Sequence, residues 1–152
     1  MRNALLAAVL TLAAACNSPA EIDDKWADPA TINYAPSLGI DLSAMTKSMS
    51  GLYSRDLVVG EGLTAGVGDE VTVRYTGWLP DGTEIGDHEQ TFPLAEGLVL
   101  KGLDEGLLGM KVGGRRKLVI PPDLAYGRAG RGRSIPPLST LIFEVDLLKV
   151  VR

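Results

Sequence analysis

The sequence predicts an α+β fold in which an antiparallel β-sheet wraps on one short α-helix, and three observations carry that prediction. Leu141, Phe143, Val145 and Leu147 alternate with Glu144 and Asp146 at the period of a half-buried strand. Val99, Leu103 and Leu107 recur at i, i+4 and i+8 with Met110 three further on, while Lys101, Asp104, Glu105 and Lys111 fall between them, giving the stretch from Leu98 to Met110 one apolar helical face. Strand patterns stand before and after that helix, without the regular helical crossovers a parallel sheet needs.

A chain of 152 residues accommodates one domain plus extensions, and 45% hydrophobic with 22% charged residues is globular composition. The net charge of -4 is uneven. Residues 17 to 70 carry nine acids against three bases, whereas residues 71 to 152 carry ten acids against eleven bases. No stretch reads as a nucleic-acid surface.

The first fifteen residues read as a signal peptide: Arg2, an apolar run from Ala4 to Leu12, then Ala13, Ala14 and Ala15. That run is too short to span a bilayer. Cys16, the only cysteine, follows the small residues directly, an arrangement that resembles a bacterial lipobox. Cleavage before Cys16 would leave it to carry lipid, and Asn17 in the next position points to the outer membrane, facing the periplasm. Ala13 to Ala15 also satisfies an ordinary secretory cleavage site, which would leave the protein soluble in the periplasm. Residues 16 to 50, rich in Asn, Ser, Pro, Asp and Thr and without sustained period, read as a flexible tether holding the domain on the order of 30 Å from the membrane. Leu42, Met45 and Met49 suggest a helical turn or two beginning near Asp41 or Ser43 and stopping at Gly51. Trp26 and Tyr34 are isolated aromatics, expected to pack loosely or stay exposed.

The globular part is assigned to residues 51–152. Leu52 to Val59, between glycines, reads as its first strand. Val71, Val73 and Tyr75 alternate with Thr72, Arg74 and Thr76 as a second. Pro80, Asp81 and Gly82 mark a turn, since Pro presets one dihedral and Gly accepts positive φ; a hairpin or sharp loop follows, and Gly86 to Thr91 is read as loop. Four glycines, at 97, 102, 106 and 109, each lower the propensity of the helix by about 1 kcal/mol relative to Ala, so it must depend on packing. Arg115 to Ile120 is the next strand, with Leu118 and Ile120 inward, ended by Pro121 and Pro122, which cannot donate to a ladder.

Much chemistry is excluded by composition. His88 is the only histidine, so neither a Ser-His-Asp arrangement nor a multi-histidine metal site can be built. It stands between Asp87 and Glu89 and is expected to be solvated. No phosphate-binding glycine loop is present, and no cofactor or metal is expected.

What remains is an apolar and aromatic set in a particular order. Val73-Arg-Tyr-Thr-Gly77, Leu79-Pro-Asp-Gly82, Lys101-Gly-Leu-Asp-Glu-Gly106, Pro122-Asp-Leu-Ala-Tyr-Gly127, Ile135-Pro-Pro and Leu141-Ile-Phe-Glu-Val145 together resemble the FKBP-type peptidyl-prolyl isomerases from Gly51 to the end. The resemblance implies a sheet curved around the helix, with an apolar pocket between them that receives proline-containing polypeptide clients. It implies catalytic roles for Tyr75, Tyr126, Phe143 and Leu100, with Tyr126 donating its hydroxyl and the Val99–Leu100 wall a backbone N–H to the substrate. It makes Ile85, Asp87, Phe92, Val99, Leu103, Ala125 and Ile135 substrate-binding residues.

The chain departs from the family where Ile85 replaces an aromatic, Gly86 an aspartate, Gln90 an aromatic and Leu103 a tryptophan, with Asp87 one position late as the substitute acid. Thinner walls argue for a slower enzyme and against binding of macrolide inhibitors. Two alternatives therefore stay open beside a folding isomerase of exported proteins: a weak or inactive binding module docking a partner, and a purely structural lipoprotein. The flap arginines Arg128, Arg131 and Arg133 suggest either a solvated turn or a surface that steers acidic client segments.

Overall fold

The computed structural model describes residues 28–152; the signal segment, Cys16 and Trp26 lie outside the described residues. Strands β1 (Thr46–Lys47), β2 (Tyr53–Val58), β3 (Glu70–Trp78), β4 (Glu84–Pro93), β5 (Arg115–Ile120) and β6 (Leu141–Val151) form one sheet in the order β1-β2-β5-β6-β3-β4. Every pairing is antiparallel. Helix α1 (Lys101–Leu107) lies against the inner face. The α+β architecture is the one predicted, an antiparallel sheet on one helix.

The helix is shorter than the periodicity suggested. Leu100 and Leu108 have extended backbone with ψ of 137 and 131, and Gly97 and Gly109 beyond them hold positive φ. Glycine lets the chain leave the helix at both ends. Leu103 and Leu107 point into the core with Leu118, Ile120, Val71, Val73, Val145 and Leu147. Asp104, placed by its spacing among the solvent-facing residues, is instead buried; its carboxylate accepts from the Ala95 and Gly97 amides at 3.0 Å each. Arg116 closes the other end, its Nη1 donating to the carbonyls of Gly106 at 2.8 Å and Leu108 at 3.2 Å, where the helix leaves acceptors without partners.

The outer face of the sheet is covered as well. From Asp28 onward the expected tether folds back over it, and Leu38 joins Tyr53, Val119 and Ile142 in a second buried cluster flanked by Tyr34, Ile40, Leu42, Met45 and Trp78. The cover is made of short 3-10 turns, Pro29–Thr31, Pro36–Leu38 and Leu42–Ala44. Asp41 caps the last by accepting from the Ser43 amide at 3.0 Å, and the hydrogen bonds from Ser43 hold its carboxyl below the usual range. That turn ends at Met45, well before Gly51, and Met49 is fully exposed. Tyr34 is half-buried and donates to the Pro29 carbonyl at 2.8 Å; burial, with Tyr53 and Asp28 nearby, pushes its phenol up. Lys117 fastens the cover to β5 by donating to the Leu38 carbonyl while pairing with Glu144 at 3.2 Å. Because both sides are covered, Leu118, Val119 and Ile120 are all buried.

The stretch from Gly86 to Thr91, expected as a loop, is the middle of β4, paired with β3 along nearly its whole length. Its residues have poor β-propensity and mostly face solvent, as suits an edge strand. The predicted turn before it is present: Gly82 donates to the Leu79 carbonyl at 3.0 Å and has a φ of 91.

Candidate active site

A cleft of about 370 Å³ opens between the inner face of the sheet, the N-terminal end of α1 and the loop between β5 and β6. Tyr75 and Phe143 stand on the neighbouring strands β3 and β6, their rings 5.7 Å apart and edge-on at 68°. Val99, Leu100 and Leu103 close the helix side, and Leu103 is almost inaccessible. Tyr126 and Ile135 enter from the flap. The Arg131 and Ile135 backbones exchange two hydrogen bonds, of 2.8 and 3.1 Å, which hold the flap in shape.

β4 supplies the remaining wall, and strand parity decides which of its side chains reach the cleft. A bulge at Ile85 breaks the pairing between Gly77–Gly86 and Trp78–Glu84, so that Ile85 and Gly86 both line the pocket. Alternation then turns His88 and Gln90 inward and Asp87 and Glu89 outward. Asp87, expected in the substrate site, therefore does not line the cleft: it pairs with Arg74 at 3.2 Å in a separate charged groove, beside Arg115 and Asp146. Phe92 continues the inward parity but is buried opposite Val71, under the site rather than in its wall. Ala125 packs on the core next to Tyr126 without lining the cleft.

The structure thus brings together Tyr75, Ile85, Val99, Leu100, Leu103, Tyr126, Ile135 and Phe143 as the sequence implied. It adds His88, Gln90, Leu98 and Arg131. His88 is exposed, as expected, yet its ring meets Tyr75 edge-on at 5.9 Å. Recognising β4 as a strand would have placed His88 and Gln90 by parity alone.

Burial raises the Tyr75 phenol above its ordinary value, with nearby Tyr126 adding to the effect and Arg131 opposing it; the hydroxyl stays neutral and keeps its proton at neutral pH. It makes one long contact, 3.5 Å, to Gln90. The Tyr126 hydroxyl accepts from Arg131 Nη1 at 2.8 Å, and the same guanidinium lies 5.5 Å from the Tyr126 ring centre. A hydroxyl that accepts one bond still has its own proton to give. The arrangement can hold an apolar segment, take away its water and offer hydrogen bonds at the rim. Among the described residues no group of His, Cys, Asp and Glu could hold a metal ion, and no helix is long and apolar enough to cross a membrane.

The sequence profile of the FKBP-type peptidyl-prolyl cis-trans isomerases matches residues 62–148. The chain is 53% identical over 107 residues to an FK506-binding protein of Neisseria meningitidis serogroup B, covering 67% of this chain and 98% of that relative. It is 41% identical over 138 residues to the peptidyl-prolyl cis-trans isomerase FKBP15-3 of Arabidopsis thaliana, covering 86% and 95%. Among solved structures it is similar to FkpA from Escherichia coli, with a TM-score of 0.65 and 42% identity; the match covers 71% of this chain and 52% of FkpA, about half of that protein. A peptidyl-prolyl cis-trans isomerase from Pseudomonas syringae pv. tomato gives a TM-score of 0.69 at 30% identity, covering 85% and 96%. The sheet on its single helix, the order of the motifs and these relatives agree, and the chain belongs to the FKBP-type peptidyl-prolyl cis-trans isomerases.

Proposed function

We propose that this isomerase assists the folding of exported proteins, acting in the periplasm on the end of a lipid anchor at Cys16 in the outer membrane. The observation that supports the catalytic reading is the cleft walled largely by aliphatic and aromatic residues, with the hydroxyl of half-buried Tyr126 in its lining. Rotating an X-Pro amide means losing its resonance, against a barrier of about 18 to 20 kcal/mol. The twisted amide is less polar than the planar one. A cavity walled by Tyr75, Ile85, Leu103 and Phe143 strips water from the amide and so favours the transition state over the ground state. Tyr126 donates to the substrate backbone and an amide of Val99 or Leu100 to a substrate carbonyl, which holds the twisted chain. No nucleophile or proton relay takes part.

Ile85, Gly86, Gln90 and Leu103 leave this cavity less tightly walled than aromatics would. Weak macrolide binding and a moderate rate follow from that. The first test is the cis-to-trans rate of a Leu-Pro peptide with the full chain. Exchange is expected to be well above the uncatalysed rate, and Tyr126→Phe combined with Phe143→Leu is expected to reduce kcat/KM by about tenfold or more. A folded wild type that gives no acceleration would mean a binding module instead.

The anchor is supported by the position of Cys16 after the signal-like run and before Asn17. Labelled palmitate supplied to producing bacteria is expected to enter the wild type and to be absent from Cys16→Ser. Equal labelling of the two would end this part of the proposal.

A further inference from the structure

Among the described residues Arg131 is the one arginine or lysine that lines the cleft, and no aspartate or glutamate lines it. The neighbouring flap arginines, Arg128 and Arg133, are exposed and contribute nothing to its wall. Among the described residues the arginines paired with carboxylates are Arg74, Arg115, Arg116 and Arg152; Arg131 has no such partner. Its one side-chain hydrogen bond runs from Nη1 to the Tyr126 hydroxyl. A guanidinium carries five N–H donors in a planar fork, so most of this one remains available to an acceptor entering the cleft.

The position of that fork is set in advance. The Arg131 backbone is tied in both directions to Ile135, and its guanidinium rests on the Tyr126 ring. The exposed imidazole of His88 and the amide of Gln90 are also in the lining, beside the aliphatic and aromatic side chains. Arg131 is itself exposed, so its attraction for a carboxylate is screened by salt, and what sets it apart from Arg128 and Arg133 is its place in the cleft lining.

Resting on the reading of this cleft as the prolyl site, we propose that Arg131 makes the enzyme selective for prolyl segments with an acidic side chain on the residue before the proline. The proline ring occupies the apolar floor formed by Leu103 and Phe143. Tyr126 reaches the adjoining backbone, and the guanidinium bonded to Tyr126 is then within one side-chain length of the preceding residue. A glutamate or aspartate there finds two parallel N–H donors, whereas a lysine meets a like charge. The selectivity belongs to one residue at the rim and does not require long-range attraction by the whole flap.

The experiment compares kcat/KM of the full chain on four peptides, identical except for Glu, Gln, Leu or Lys before the proline, at low and high salt. Glu is expected to exceed Gln by about fivefold at low salt, with the ratio shrinking as salt is added. Arg131→Gln is expected to bring the Glu/Gln ratio to about one, Arg131→Lys to restore part of it, and Arg128→Ser with Arg133→Ser to leave it in place. The ratio is read within each variant, so a general loss of rate through Tyr126 does not imitate the effect. A Glu/Gln ratio near one in the wild type, with Leu-Pro still turned over, overturns the proposal and leaves the isomerase intact. A high ratio that survives Arg131→Gln also overturns it. Failure to turn over any of the four peptides removes both the selectivity and the catalytic reading beneath it.

Discussion

Asp104→Ala is expected to lower the free energy of unfolding by about 3 kcal/mol, and to loosen one wall of the cleft in the same step. The buried carboxylate is the sole side-chain acceptor for the amides of Ala95 and Gly97, and both bonds are charge-assisted. Ala95 has a φ of 63, a left-handed conformation costing about 1 to 2 kcal/mol in a residue with a Cβ. The bond from its amide to Asp104 keeps the turn in that state. Beyond the turn come Leu98, Val99 and Leu100, which form the helix side of the cleft. Denaturant unfolding measures the first effect, and faster hydrogen exchange at Gly97 with a raised KM measures the second. Asp104→Asn should lie between, because its amide group offers one oxygen where the carboxylate offers two. Unchanged stability in Asp104→Ala would show that the turn is held by its other contacts.

Gly102→Ala is expected to destabilise the protein by about 1 to 3 kcal/mol, although alanine is the better helix former by about 1 kcal/mol. A Cβ at position 102 would lie 2.4 Å from Cγ2 of Ile120 and 3.0 Å from its Cδ1 and Cγ1. Ile120 is fully buried in β5 and has nowhere to retreat. Gly106 is in the same position over Leu118, where an added Cβ would lie 2.6 Å from Cδ1. These two glycines let α1 lie directly on the sheet, so the helix cannot be improved on propensity alone. In Gly102→Ala with Ile120→Ala, the second change vacates the volume the first one needs. The double variant should therefore lose less stability than the two single losses added together, and strict additivity would disprove the clash.

Most of the inner layer was legible because it obeys one rule per element. Leu141 to Leu147 and Val71 to Tyr75 alternate, Leu103 and Leu107 share a helical face, and the motif order carried the site residues Tyr75, Tyr126, Ile135 and Phe143 with them. The outer layer was missed although the sequence contains a sign of it. Val119 sits between Leu118 and Ile120, and Ile142 between Leu141 and Phe143, in places where a solvent-facing sheet would carry polar residues. Such doubled runs mean a strand buried on both sides. The cover itself, poor in period and rich in proline, gave no pattern of its own. β4 was hidden for another reason: as an edge strand it needs few apolar residues, and Gly86 to Gln90 supplies none. Asp104 was misplaced because helical spacing reports faces, whereas its burial depends on two amides in the preceding turn.

The order of the strands also governs when this sheet can come into being. β6 is the last of the described strands in chain order, yet it lies in the middle, joined to β5 on one side and to β3 on the other. Until it is available, β1-β2-β5 and β3-β4 are two separate fragments with no hydrogen bonds between them. Closure of the sheet therefore waits for contacts far apart in the chain. For a protein proposed to pass through a membrane before it folds, that delay keeps the chain threadable until β6 has emerged.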